Sequence, residues 1–189
     1  LALVCRHSQC DLATTTNILQ TPLAAKCSKP FRPANGQQPA SATCCTTDIS
    51  LAEFKTLCAR PDQSNKKAKT VAQYLAPLRS PVVSKPLACG TLMTHAQSIE
   101  LIDALGRKFT PELKRSMVDM PFAPGFTQAA YADKLLAEYR AAGIDPSRVY
   151  PQSFNPDDIW HWVKNHPDFA DQAVWLDARG RRPGFQSSP

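Results

Sequence analysis

The 189-residue chain lacks several features that would assign it to a common class of protein. No apolar run approaches the ~20 residues that cross a bilayer, so we expect no transmembrane segment. No GxGxxG or GxxxxGKS/T motif follows a strand pattern, which leaves a dinucleotide or P-loop site unsupported. The cysteines form no CxxC pairs with matching histidines, which argues against a cysteine-based zinc site. The basic residues behind the net charge of +6 are scattered and not interleaved with aromatic residues. They indicate a solvated surface and no nucleic-acid groove.

Composition divides the chain into two parts. From about residue 21 to residue 90 it is rich in Pro, Ser, Thr, Asn and Lys, with few large apolar residues. This composition is typical of a large insertion between core elements. We expect two short helices in the insertion, one capped by Asp48 or Ser50 and continuing through Leu57, and another over Val71–Leu78.

Helix and strand patterns alternate from Thr91 onward. The predicted strands are Leu1–Cys5, Lys108–Leu113, Arg148–Phe154 and Ala173–Asp177, and the predicted helices are His95–Leu105, one from Thr127 or Gln128 to Gly143, and one capped by Asn155. Such alternation favours the α/β class, with a parallel sheet and crossover helices. A complete (β/α)8 TIM barrel has ~250 residues. We therefore expect residues 1–189 to form an incomplete TIM barrel, an internal segment of a larger domain, with the insertion at about 21–90.

Polar side chains stand at the C-terminal ends of the predicted strands, where the chemistry of such barrels lies. His7 follows the first strand, and an imidazole suits proton transfer near neutral pH. Glu112 and Lys114 alternate and therefore point the same way. They either form an ion pair or bind a metal ion and a phosphate oxygen. Arg6 and Gln152 are candidates for substrate contacts, with an ion pair to an acid as the alternative for Arg6.

The other histidines have simpler explanations. His95 stands at a helix start, where it caps the helix, lies on the surface or lines a substrate entrance. His161 and His166 share one helix, and we expect them to serve surface and packing roles.

Four blocks of sequence resemble, in order, those of the glycerophosphodiester phosphodiesterases. They are Arg6-His7 with Asp11-Leu12 and Thr15-Thr16-Asn17, then Phe109-Thr110-Pro111-Glu112-Leu113-Lys114, then Pro151-Gln152-Ser153-Phe154, and finally Ala173-Val174-Trp175-Leu176-Asp177. The resemblance spans nearly the whole chain, with a long insertion after the first block.

The resemblance implies a TIM barrel that hydrolyses glycerophosphodiesters to an alcohol and glycerol 3-phosphate with a divalent cation, Ca²⁺ or Mg²⁺. It assigns one of two catalytic histidines to His7, a metal ligand to Glu112 and a phosphate contact to Lys114. The family's first-strand His-Arg-Gly block and second-strand acidic pair have no match in this sequence. Two alternatives stay open: a sphingomyelin-cleaving phospholipase D on the same barrel, and a catalytically silent secreted binding protein.

The seven cysteines indicate the compartment. Cys27, Cys44, Cys45 and Cys58 punctuate a polar stretch that burial alone is not expected to hold together. We expect at least one disulfide from Cys44 or Cys45 to Cys27 or Cys58, and adjacent cysteines that pair with different partners. Such bridges imply a periplasmic or secreted protein, whereas buried thiols are the alternative.

The first prediction is that these 189 residues alone do not hydrolyse glycerophosphodiesters, because the matched blocks supply one of three expected metal ligands and one of two histidines. Release of choline from glycerophosphocholine measures this. Hydrolysis that depends on Glu112 would refute it.

Overall fold

The computed structural model describes residues 1–76 and 89–178. They belong to two compact units, Leu1–Thr94 and His95–Pro189. The predicted insertion lies within the first unit. No helix of the described residues is long and apolar enough to cross a membrane.

Short elements build the first unit. They are the helices α1 (Leu12–Thr15), α2 (Leu51–Lys55) and α3 (Val71–Tyr74), the strands β1 (Lys29–Arg32) and β2 (Ser41–Thr43), and 3₁₀ turns at Ile18–Gln20, Pro22–Lys26 and Thr46–Asp48. The two strands pair antiparallel. Ser50 caps α2 as predicted, since its hydroxyl accepts from the Glu53 N–H while the Glu53 carboxylate accepts from the Ser50 N–H. The insertion, for which only helices were predicted, therefore also contains a strand pair that its composition did not indicate.

The first unit has a hydrophobic core, which the composition of residues 21–90 did not indicate. Leu12 and Ile18, which precede that range, are fully buried and pack with Phe54, Leu57 and Tyr74. The composition of residues 21–90 missed this because part of the core comes from outside that range. Burial and crosslinks together stabilise the unit.

Three disulfides link six of the seven cysteines: Cys10–Cys45, Cys27–Cys44 and Cys58–Cys89. The predicted bridge from Cys44 or Cys45 is confirmed by Cys27–Cys44, and the adjacent cysteines have different partners. The remaining one, Cys5, is exposed, and its thiol lies 3.7 Å from the Thr94 carbonyl oxygen.

The predicted strand Leu1–Cys5 is not formed as a strand. Val4 makes one antiparallel bridge with Thr94, and the Cys5 N–H donates to the Met93 carbonyl at 3.0 Å. Leu1 is 67% exposed. The apolar run was interpreted as a buried strand, but none of its five residues is buried.

The second unit alternates helices with short parallel segments. Its helices are α4 (His95–Ala104), α5 (Gln128–Ala141), α6 (Pro156–Asn165) and α7 (Pro167–Ala170), with a 3₁₀ turn at Pro146–Arg148, and its strands are β3 (Gln152–Ser153) and β4 (Val174–Trp175). The predicted caps are confirmed: Thr127 accepts from the Ala130 N–H, and Asn155 accepts from the Asp157 N–H. Local capping chemistry thus fixes where the long helices begin.

Parallel pairing joins three segments in sequence order. Phe109 pairs with Val149 and Glu112 with Gln152, and β3 pairs with β4, all in parallel. The predicted strand at 108–113 is reduced to isolated pairs because Pro111 has no N–H to donate to the ladder. Helix α5 lies between the first two segments along the chain and α6 between the last two. The described residues contain no closed barrel, so the TIM barrel stays a prediction.

The disulfide frame generates the second prediction. Replacing both Cys27 and Cys44 by Ala should lower the free energy of unfolding by about 3 kcal/mol, because the bridge closes a loop of 17 residues in the unfolded chain. Urea unfolding followed by fluorescence measures this. The control is wild-type protein in reducing buffer, which should lose at least as much stability. Equal stability of the variant and the oxidised wild type would contradict the prediction.

Candidate functional site

The two faces of the parallel segments of the second unit differ in character. Phe109, Leu113, Val149 and Ser153 point to one face and are buried. Helices cover this face: the ring of Phe109 meets Tyr139 of α5 edge-on at 5.2 Å, and Ser153 bonds to α6. Because side chains alternate along a strand, the residues between them point to the other face.

That second face carries three of the residues predicted from sequence. Glu112 and Gln152 are direct neighbours across the parallel bridge, and Lys114 follows two residues after Glu112. All three are half-buried. The Gln152 amide donates to the Thr110 carbonyl at 3.3 Å. We call Glu112, Lys114 and Gln152 the polar wall.

The charges of the polar wall pair with each other. Lys114 Nζ donates to Glu112 Oε2 at 2.5 Å, and the two side chains are 26% and 21% exposed. The ion-pair alternative is therefore what the structure contains. This partial exposure leaves both side chains within reach of a ligand. A ligand that separates the ion pair would have to supply a new charge partner for the Glu112 carboxylate and for the Lys114 ammonium.

A buried carboxylate that the sequence interpretation passed over holds the end of β3. Asp158 accepts from the Ser153 hydroxyl at 2.8 Å, from the Gln128 amide at 2.9 Å and from the Asn155 amide at 3.1 Å. Burial, together with the charge of Asp158, raises the pKa of Tyr131 to about 12. The signal available in the sequence was the position of Asp158, three residues after the cap Asn155.

The remaining predicted residues belong to the first unit. Arg6 Nε donates to Asp11 Oδ1 at 3.1 Å, so its ion-pair alternative is what forms. Asp11 is further held by the Ser8 N–H and the Thr15 hydroxyl. His7 is exposed. The prediction that His7 is catalytic stays a prediction.

His95 is neither a cap nor a surface residue. Its ring is buried, packs edge-on against Tyr139 and places Nδ1 at 2.8 Å from Glu138 Oε2. Burial lowers the pKa of His95, against the opposing effect of the Glu138 hydrogen bond. These contacts give His95 a place in the packing of α4 on α5.

A further polar group brings together residues that the sequence placed in surface and packing roles. The Nε2 atoms of His161 and His166 lie 2.6 Å and 2.7 Å from Asp133 Oδ1. We call these three residues the histidine cluster. No sequence pattern indicates this cluster, because Asp133 is on α5 and the two imidazoles follow 28 and 33 residues later.

A curated extracellular protein is similar to this chain. The chain is 42% identical over 125 residues to an "Extracellular protein" of Arthroderma benhamiae, an alignment that covers 65% of this chain and 50% of that protein. The chain thus matches about half the length of this relative. No family model matches the chain, and no solved structure matches it.

The predicted compartment is confirmed. Three disulfides and an extracellular relative together indicate a secreted protein. The resemblance to glycerophosphodiester phosphodiesterases is neither supported nor opposed by these comparisons.

The third prediction concerns Asp158. Replacing it by Ala should lower the free energy of unfolding by about 2–4 kcal/mol, since three donors lose their acceptor and at least one of them is buried. The matched control is Asp157→Ala, an exposed acid in the same helical turn, which should change stability by no more than about 0.5 kcal/mol. Chemical denaturation of both variants provides the comparison, and equal losses would remove Asp158 from its anchoring role.

Proposed function

We propose that this secreted chain supplies part of the active site of a metal-dependent glycerophosphodiester phosphodiesterase. The observation that carries the proposal is the polar wall on a parallel β/α segment. One face of that segment is covered by helices, and the other presents a carboxylate, an ammonium and an amide. A face of this kind corresponds to the interior of a (β/α)8 barrel near the C-terminal ends of its strands.

The donor set of the polar wall fits a hard cation. Glu112 offers a carboxylate, and the amide oxygen of Gln152 is on the neighbouring segment, both of them oxygen ligands that suit Ca²⁺ or Mg²⁺. When bound, such a cation neutralises the phosphodiester and polarises its P–O bonds. The other two carboxylates that the resemblance implies have no counterpart in the matched blocks.

The resemblance to the phosphodiesterases assigns distinct tasks to Lys114 and His7. Separation of the Glu112–Lys114 pair frees the ammonium to bind a non-bridging phosphate oxygen while the carboxylate turns to the cation. His7 transfers a proton to or from the reacting oxygen atoms. The substrate is a glycerophosphodiester, and sphingomyelin is the alternative that the same barrel accommodates.

A second candidate is a secreted binding protein without catalytic activity. It is favoured by the Glu112–Lys114 ion pair, which neutralises the polar wall in the absence of a ligand. It also agrees with the relative, whose name states a location and no activity.

The fourth prediction separates these candidates in the full-length protein. Glu112→Gln and His7→Asn should each lower kcat for glycerophosphocholine by at least ~100-fold, because one removes a cation ligand and the other a proton-transfer group. Thermal unfolding should stay close to that of the wild type. Release of choline and of glycerol 3-phosphate is the measurement, with sphingomyelin assayed in parallel.

The matched control is Glu100→Gln, which removes an exposed carboxylate from α4 and should leave kcat unchanged. Wild-type turnover in Glu112→Gln would remove that residue from the mechanism. A wild-type protein that binds glycerophosphocholine in calorimetry yet releases no product would support the second candidate and overturn the first.

A further inference from the structure

We propose that the histidine cluster, Asp133, His161 and His166, is a binding site for a borderline divalent transition-metal ion such as Zn²⁺. This site is separate from the hard-cation site proposed for the polar wall and does not depend on it. The inference rests on three side chains from two helices and a helix cap that converge on one point.

The ligand atoms are already gathered. One atom from each residue lies within 4.8 Å of the other two, and Asp133 Oδ1 is hydrogen-bonded to both imidazoles. Ligand atoms around a tetrahedral zinc ion are ~3.3 Å apart, from Zn–N and Zn–O distances of about 2.0–2.2 Å. An ion therefore requires the two hydrogen-bonded contacts of 2.6 Å and 2.7 Å to lengthen by about 0.6–0.7 Å, a change that side-chain rotation would have to supply.

The backbone that carries the three side chains is fixed. Buried Trp162, next to His161, donates its indole N–H to the carbonyl of Ala132, the residue before Asp133, at 3.1 Å. The His166 N–H caps α6 by donating to the Trp162 carbonyl at 2.8 Å. One buried tryptophan thus sets the position of both helices at the cluster.

The donor set selects the class of ion. Two imidazole nitrogens and one carboxylate oxygen suit Zn²⁺, Cu²⁺, Ni²⁺ or Co²⁺ and do not favour Ca²⁺ or Mg²⁺. Asp133 Oδ1 is already hydrogen-bonded to both imidazoles, so the carboxylate and the two nitrogens face one point. All three side chains retain some exposure, which leaves a path for the ion and a position for water.

The hydrogen bonds of the two imidazoles show which contacts metal binding must break. The Arg140 guanidinium and the Asn165 amide donate to the Nδ1 atoms of His166 and His161, at 2.9 Å and 3.1 Å. Each imidazole therefore carries its proton on Nε2, where it faces Asp133. Metal binding moves both protons to Nδ1, so Arg140 must withdraw from His166 while it keeps its pair with Asp168. Arg140 thus weakens the site, and its removal should strengthen metal binding.

The fifth prediction tests the cluster on the full chain after dialysis against a chelator. Calorimetric titration with Zn²⁺ should show one saturable site, and Zn²⁺ should raise Tm. His161→Gln/His166→Gln should weaken Zn²⁺ binding by at least ~100-fold, since loss of second-shell partners alone costs about 10- to 100-fold. Arg140→Met should tighten it. Excess Ca²⁺ should not compete.

Two controls keep the outcome specific. His7→Gln removes a histidine outside the cluster and should leave Zn²⁺ binding unchanged, and Glu112→Gln should also leave it unchanged, which separates this site from the polar wall. If the double variant fails to fold, Asp133→Asn is tested in its place. The visible absorption spectrum of bound Co²⁺ is then the measurement, and the variant should lose the bands of tetrahedral Co²⁺ that the wild type shows. Absence of saturable binding in the wild type, or equal binding in the cluster variants, would overturn the proposal.

Discussion

The organisation of the second unit depends on the burial of one carboxylate. Asp158 is removed from water, and an ionised group in that position is tolerated only when donors surround it. Three side chains meet this need, from the end of β3, the cap of α6 and the start of α5. The requirement therefore fixes two helices and a strand relative to one another. Both polar groups of the unit inherit their geometry from it, the polar wall through β3 and the histidine cluster through α5 and α6.

Features set by nearby residues could be predicted from the sequence. The starts of α2, α5 and α6 follow from Ser50, Thr127 and Asn155, because a cap acts within one helical turn. The alternating direction of Glu112 and Lys114 follows from strand geometry alone. The parallel order of the three segments agrees with the alternation of helix and strand patterns. The predicted strand at 108–113 was overestimated because Pro111 interrupts the ladder that the apolar pattern suggested.

Features set by distant residues could not be predicted. Asp133 meets His161 and His166 only after α5 and α6 have packed, and neither helix alone indicates the other's register. In the first unit, the contribution of Leu12 and Ile18 to the core was missed for the same reason. The presence of disulfides could be predicted, because a cysteine-rich polar stretch needs crosslinks. Their full connectivity required the fold, since spacing permits many pairings.

The charges of the two polar groups determine which ligands each can accept. Glu112 and Lys114 cancel, so a cation alone meets an ammonium that it must displace, and a phosphate alone meets a carboxylate. Under the proposed function, a cation and a phosphodiester that arrive together would satisfy both groups, which would couple metal binding at the polar wall to substrate binding. The histidine cluster instead combines one carboxylate with two imidazoles, and the charge of nearby Arg140 is balanced by Asp168. Its carboxylate would attract a cation without an accompanying anion. The two groups would therefore fill independently, one with substrate and the other with free metal.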